Sequence, residues 1–253
     1  MKRISLILLL SCFAITSIWA ESKPKENLAI VFIGNSITIG TGGEGGTPPP
    51  THAVNSLRTH KKIGEVAFSN IGKSGSTTVD WLPETNTLFR NAIKAGDSLS
   101  RKADFQLIFS IKLGTNDSAI EGPNGAPVSA ENYKKNMKVI MTALLEKYPK
   151  CKIVLQHPIW YSTNTYNRSK YLAEGLARLN TYIPEIDQLV KEYQSQNPGQ
   201  VYLGDTKAYR YFKKHETLFK DEKGQQGIFH LHPNQAGTKI LGEYWAKGIL
   251  KGI

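Results

Sequence analysis

Beyond residue 27, five apolar runs punctuate the chain. Residues 28–33 (LAIVFI) show no polar alternation, the pattern of a strand buried on both faces of a parallel sheet. Residues 65–70 (EVAFSN), 105–111 (FQLIFSI), 152–155 (KIVL) and 201–203 (VYL) repeat it more briefly. Between the runs the period changes to that of a helix. Ser129 is placed as an N-cap, and Tyr133, Met137, Ile140, Met141, Leu144 and Leu145 follow at three- and four-residue spacing. Ile240, Leu241, Tyr244 and Ile249 form a similar stripe near the C-terminus, and residues 168–193 read as helical with an interruption at Pro184. Strands alternating with helices predict an α/β fold, a parallel sheet covered on both faces. There is no internal repeat and no interdomain linker, so residues 28–253 read as one domain behind a polar linker at 21–27. Residues 40–51 (GTGGEGGTPPPT) and 157–167 read as long loops without regular structure.

Composition narrows the setting. Of 253 residues, 40% are hydrophobic and 21% charged, which suits a globular chain and excludes a disordered one. Residues 4–20 are apolar, follow Lys2-Arg3 and end in Trp19-Ala20, which reads as a signal peptide over residues 1–20. Export to the periplasm or beyond is therefore expected, with no stable membrane insertion after cleavage. Leu9-Leu10-Ser11-Cys12 also resembles a lipobox, but a cut there leaves a very short apolar core. Loss of Lys2 and Arg3 lowers the net charge from +11 to +9 and leaves Cys151 as the single cysteine, so no intrachain disulfide is expected. The basic pairs Lys61-Lys62, Lys134-Lys135 and Lys213-Lys214 are scattered among acids, which argues against a nucleic-acid partner.

The polar residues of interest follow the apolar runs. Gly34-Asn35-Ser36 ends the first, and the segment from Asn70 to Thr78, with Gly72 and Gly75, ends the second. Gly114-Thr115-Asn116-Asp117 ends the third, and His230-Leu231-His232-Pro233-Asn234 precedes the last helix. Singly, each reads as an ordinary turn or cap. Together, in this order, they resemble the sequence blocks of the SGNH hydrolases, also called GDSL-type esterases, with Asn35 where Asp is commoner.

That resemblance implies a flavodoxin-like three-layer α/β/α sandwich on a five-stranded parallel sheet of order 2-1-3-4-5. The order brings the ends of strands 2, 1 and 3 side by side at a topological switch point. The resemblance assigns Ser36 as nucleophile, His232 as base, and the Ser36 N–H, Gly75 N–H and Asn116 amide as the oxyanion hole, with no cofactor and no metal. One position departs from the family: its acid, three residues before the histidine, is Phe229 here. A backbone carbonyl ranks first as the group orienting His232, ahead of Asp205, Asp221 and Glu222. A two-histidine metal site at His230 and His232 is the lesser reading of that segment. Trp160 and Tyr161 are read either as core residues or as a stacking platform for a sugar. The expected activity is that of an exported serine esterase removing short acyl groups, acetyl first, from a small-molecule or oligosaccharide ester. The alternatives are a lipid-directed esterase or lysophospholipase, and a degenerate glycan-binding domain.

Overall fold

The structure is a computed structural model and describes residues 24–41, 46–85 and 87–253. The signal-peptide segment, Cys12 and the middle of the 40–51 loop lie outside the described residues.

Strand β1 (Glu26–Gly34) is followed by the short helix α1 (Ser36–Ile39) and by α2 (Pro49–Arg58). Then come β2 (Ile63–Asn70), α3 (Leu88–Leu99), β3 (Phe105–Lys112) and α4 (Ala130–Lys147). The chain continues through β4 (Lys152–Leu155), α5 (Leu172–Gln196), β5 (Val201–Leu203) and α6 (Ala208–Lys214). A two-stranded hairpin, β6 (Glu222–Gly224) and β7 (Gly227–Phe229), precedes α7 (Gln235–Ile249).

The five main strands form one parallel sheet in the order β2-β1-β3-β4-β5. Strand β1 lies second, and every side chain from Leu28 to Ile33 is fully buried, as its unbroken apolar run requires. Neighbouring β1 residues send their side chains to opposite faces. On one face Phe32 stacks on Trp245 of α7, which also packs along α2. On the other, Phe109, the register partner of Val31, meets Tyr148 at the end of α4, and α4 packs against α5. The α/β/α layering and strand order expected from the sequence are therefore present.

Three local expectations need correction, and one element is new. Strand β1 starts at Glu26, inside the expected linker, because Asn27 pairs with Phe105 and Glu26 with Ile63. Residues 49–51, expected in a loop, begin α2: proline at the first helical position lacks only an N–H that the helix leaves unused there. Pro184 does not interrupt α5, which runs unbroken from Leu172. Leu179, Tyr182, Ile186 and Leu189 are buried around it, and this packing outweighs one lost backbone bond. The hairpin β6–β7 adds two strands of three residues each, too short to show a period in the sequence.

Candidate active site

The chemistry gathers at the C-terminal ends of β1, β2 and β3. Gly34 closes β1 where no larger residue fits: a Cβ there would lie 2.7 Å from the Lys112 carbonyl and nearer still to the Thr38 hydroxyl. Asn35 caps α1 by accepting the Ile37 N–H at 3.2 Å, which leaves Ser36 on the first turn with its hydroxyl facing the cleft. Ser36 Oγ lies 2.9 Å from His232 Nε2. His232 sits between β7 and α7, and Asn234 fixes that connection by accepting the Gly237 N–H and donating to the Thr217 and Phe219 carbonyls.

The other face of the imidazole overturns one sequence expectation. His232 Nδ1 lies 2.9 and 3.0 Å from the two carboxylate oxygens of Glu222, and Glu222 Oε1 also accepts the His232 backbone N–H at 3.1 Å. A carboxylate, not a backbone carbonyl, orients the ring. With Nδ1–H given to Glu222, Nε2 is left as the acceptor for the serine proton. Glu222 is paired in register with Phe229 across the hairpin. Register partners in an antiparallel pair point to the same face with Cβ atoms about 5 Å apart. The residue facing the vacated family position thus carries the acid, and Phe229 is buried. The other two acids do not touch His232. Asp205 caps α6 by accepting the Lys207 and Ala208 N–H groups, and Asp221 accepts from His230 Nε2.

Gly75 has φ +79, a left-handed conformation that favours glycine, and a Cβ there would meet nothing within 4 Å. Among the described residues neither the Ser36 N–H nor the Gly75 N–H has a protein acceptor. Asn116 donates from Nδ2 to the Ser76 carbonyl at 2.8 Å, which leaves its second Nδ2–H free, and Oδ1 accepts from the Tyr171 hydroxyl at 2.7 Å. The two loops that carry Gly75 and Asn116 are laced together by Asp117, which accepts from the Thr78 N–H and hydroxyl and from the Gly114 N–H. Burial pushes the Asp117 carboxyl up to about 6 despite these bonds.

Ser36, Gly75, Asn116, Tyr171, Leu231 and His232 line one cavity of about 500 Å³, whose outer wall adds Thr41, Ser74 and residues 167–169. Four residues expected at the site are together, and Glu222 and Tyr171 join them. His230 is engaged elsewhere: its ring nitrogens face Glu216 at 3.1 Å and Asp221 at 2.9 Å, so it does not share an ion with His232. Trp160 and Tyr161 are core residues, which corrects the sugar-platform reading. Trp160 packs edge-on against Phe219, and the Tyr161 hydroxyl bonds Ser118.

The model of the GDSL-like lipase/acylhydrolase family matches residues 32–240. No curated protein matches the sequence. Among solved structures, a lipase/acylhydrolase from Enterococcus faecalis is 19% identical, with a TM-score of 0.58 over 88% of this chain and 95% of its own. Axe2, an acetylxylan esterase from Geobacillus stearothermophilus, is 19% identical, with a TM-score of 0.57 over 91% and 96%. An α/β hydrolase from the metagenome of Lake Arreo is 20% identical, with a TM-score of 0.57 over 89% and 97%.

Proposed function

The chain belongs to the GDSL-like lipase/acylhydrolase family, and on that premise we propose that it is an exported serine esterase that removes short acyl groups, acetyl first, from carbohydrate. The observation that carries the reading is the relay from Ser36 Oγ through His232 to Glu222, with contacts of 2.9 Å on each side of the ring.

In this mechanism Ser36 Oγ adds to the ester carbonyl while its proton passes to His232 Nε2. Glu222 stabilises the imidazolium that results. The carbonyl oxygen becomes an oxyanion and is met by the Ser36 N–H, the Gly75 N–H and the free Nδ2–H of Asn116. Each such donor is worth about 10²–10³ in turnover, because it is aimed at charge that appears only in the transition state. Collapse breaks the bond to the alcohol, which leaves with the proton from His232. Water then repeats the cycle on the acyl-Ser36 ester, giving the free acid and restoring the serine.

Substrate size follows from the cavity wall. Thr41, Ser74, Asn167, Arg168 and Ser169 offer hydroxyls, an amide and a guanidinium, and Leu231 is the one aliphatic residue on the wall among the described residues. A long acyl chain gains about 0.8 kcal/mol per buried CH₂ only where an apolar wall receives it. The Geobacillus neighbour, whose name is that of an acetylxylan esterase, supports the same direction. A degenerate binding domain has no use for the complete relay and for three oxyanion donors.

The test is hydrolysis of chromogenic esters of increasing acyl length by wild type and Ser36→Ala. Acetyl esters should show the higher kcat/KM, and Ser36→Ala should be inert. A fluorophosphonate should label Ser36, and His232→Ala should abolish labelling. Higher kcat/KM on octanoyl esters would replace the carbohydrate reading with a lipid-directed one, and label on another residue would remove the mechanism.

A further inference from the structure

The amide of Asn116 serves the oxyanion only if Nδ2, and not Oδ1, faces the reacting carbonyl. Two neighbours select that orientation. The Ser76 carbonyl takes one Nδ2–H at 2.8 Å, and the Tyr171 hydroxyl donates to Oδ1 at 2.7 Å. A reversed amide would set Oδ1 against the Ser76 carbonyl and leave two acceptors facing each other. A hydrogen bond to Oδ1 also polarises the amide and strengthens its remaining N–H as a donor.

The phenol is built to stay a donor in one place. Tyr171 is 3% exposed, and burial pushes its ionisation above the ordinary phenol range against the opposing effect of the Ser169 side chain, with Glu222 and Asp117 adding to the rise. Its ring meets Tyr161 edge-on at 5.5 Å, and Tyr161 is itself tied to Ser118. The backbone turns sharply beside it. The N–H groups of Tyr171 and Leu172 both reach the Thr165 carbonyl, and Leu172 has φ +55, a left-handed conformation that a non-glycine residue rarely adopts. Such strain persists only where surrounding structure over-determines it, and here the two bonds to Thr165 hold the turn that carries Tyr171.

We propose that Tyr171 is a positioning residue of the oxyanion hole, whose hydroxyl holds the Asn116 amide with its free Nδ2–H toward the forming oxyanion. The inference rests on the esterase reading above and adds a residue that the family blocks do not contain.

Tyr171→Phe keeps the ring and removes only the donor, so the unfolding midpoint should move little. On the acetyl ester, kcat should fall about tenfold, less than the ~10²–10³ of a lost oxyanion donor because Ser76 still biases the amide. KM should stay within twofold, and Ser36 should react correspondingly more slowly with the fluorophosphonate. In an Asn116→Ala background Tyr171→Phe should have no further effect, whereas a merely structural tyrosine would cost the same factor in both. Unchanged kcat in the single variant, or full additivity in the double, overturns the proposal. A wild type without Ser36-dependent turnover overturns the esterase reading as well, so the two failures are distinguishable.

Discussion

At the scale of single residues, the position that decides the site is Glu222. In another enzyme that uses a Ser-His-acid relay, replacing the acid by its amide lowered turnover about 10⁴-fold, because the imidazole loses its tautomer and its counter-charge. Glu222→Gln should lower kcat here by about 10³–10⁴ on the same grounds, with KM nearly unchanged. Asp205→Asn and Asp221→Asn should each cost less than tenfold, since those carboxylates serve α6 and His230. Steady-state kinetics on the acetyl ester decide the matter, and a Glu222→Gln enzyme within tenfold of wild type would return the site to a dyad. Ser36, Gly75, Asn116 and His232 could be read from the sequence because each follows an apolar run or precedes a helix in a recognisable block. Glu222 is named among the candidate acids but ranks behind a backbone carbonyl, because no fixed offset from His232 along the chain points to it and the structure supplies it across a strand pair. The signal was nevertheless present. Gly224-Gln225-Gln226-Gly227 is a hairpin turn, and folding it places Glu222 opposite Phe229.

At the scale of elements, that hairpin separates two functions in one register pair. On the shared face of the pair, Phe229 is 1% exposed and packs in the core, while Glu222 bonds His232. Phe229→Ala should therefore cost about 3–5 kcal/mol of stability through the cavity it leaves. Glu222→Gln should shift the midpoint of urea unfolding far less. Comparing the two midpoints tests the division, and a Phe229→Ala protein as stable as wild type would contradict it. The long periodic elements were the legible ones: the unbroken run of β1, and the Ser129 cap of α4 with its six buried positions, stand where the pattern put them. Two of the misread elements share a cause. Along the sequence proline reads as a breaker at Pro49 and Pro184, but a first-turn proline and a helix held by tertiary packing both tolerate it.

At the scale of the whole molecule, five parallel strands carry the site on their rim and bury charge beneath it. Lys112 ends β3, is 1% exposed and donates to the Thr115 hydroxyl at 2.9 Å. Burial pushes its ammonium down from 10.5 to about 7, against the opposing pull of Asp117. Between pH 7 and 10.5 the unfolded chain holds a proton that the folded chain has released, so stability rises with pH in that window. The slope from this one group approaches about 1.4 kcal/mol per pH unit. Below pH 7 both states are protonated and the cost of burying the ammonium is fully present. Asp117 acts in the opposite sense: with its carboxyl raised from 3.8 to about 6, stability falls as pH rises between those values. The two together contribute least near pH 6–7. Buried tyrosines such as Tyr193, also raised by burial, take stability away as pH climbs past 10, so the useful range ends near there. Lys112→Met fills the same space without charge. It should be more stable than wild type at pH 7, and the difference should shrink steadily toward pH 9.5. Urea unfolding of both proteins at half-unit steps between pH 6 and 9.5 measures that difference directly. A constant offset across the range would mean that Lys112 keeps its proton inside the fold.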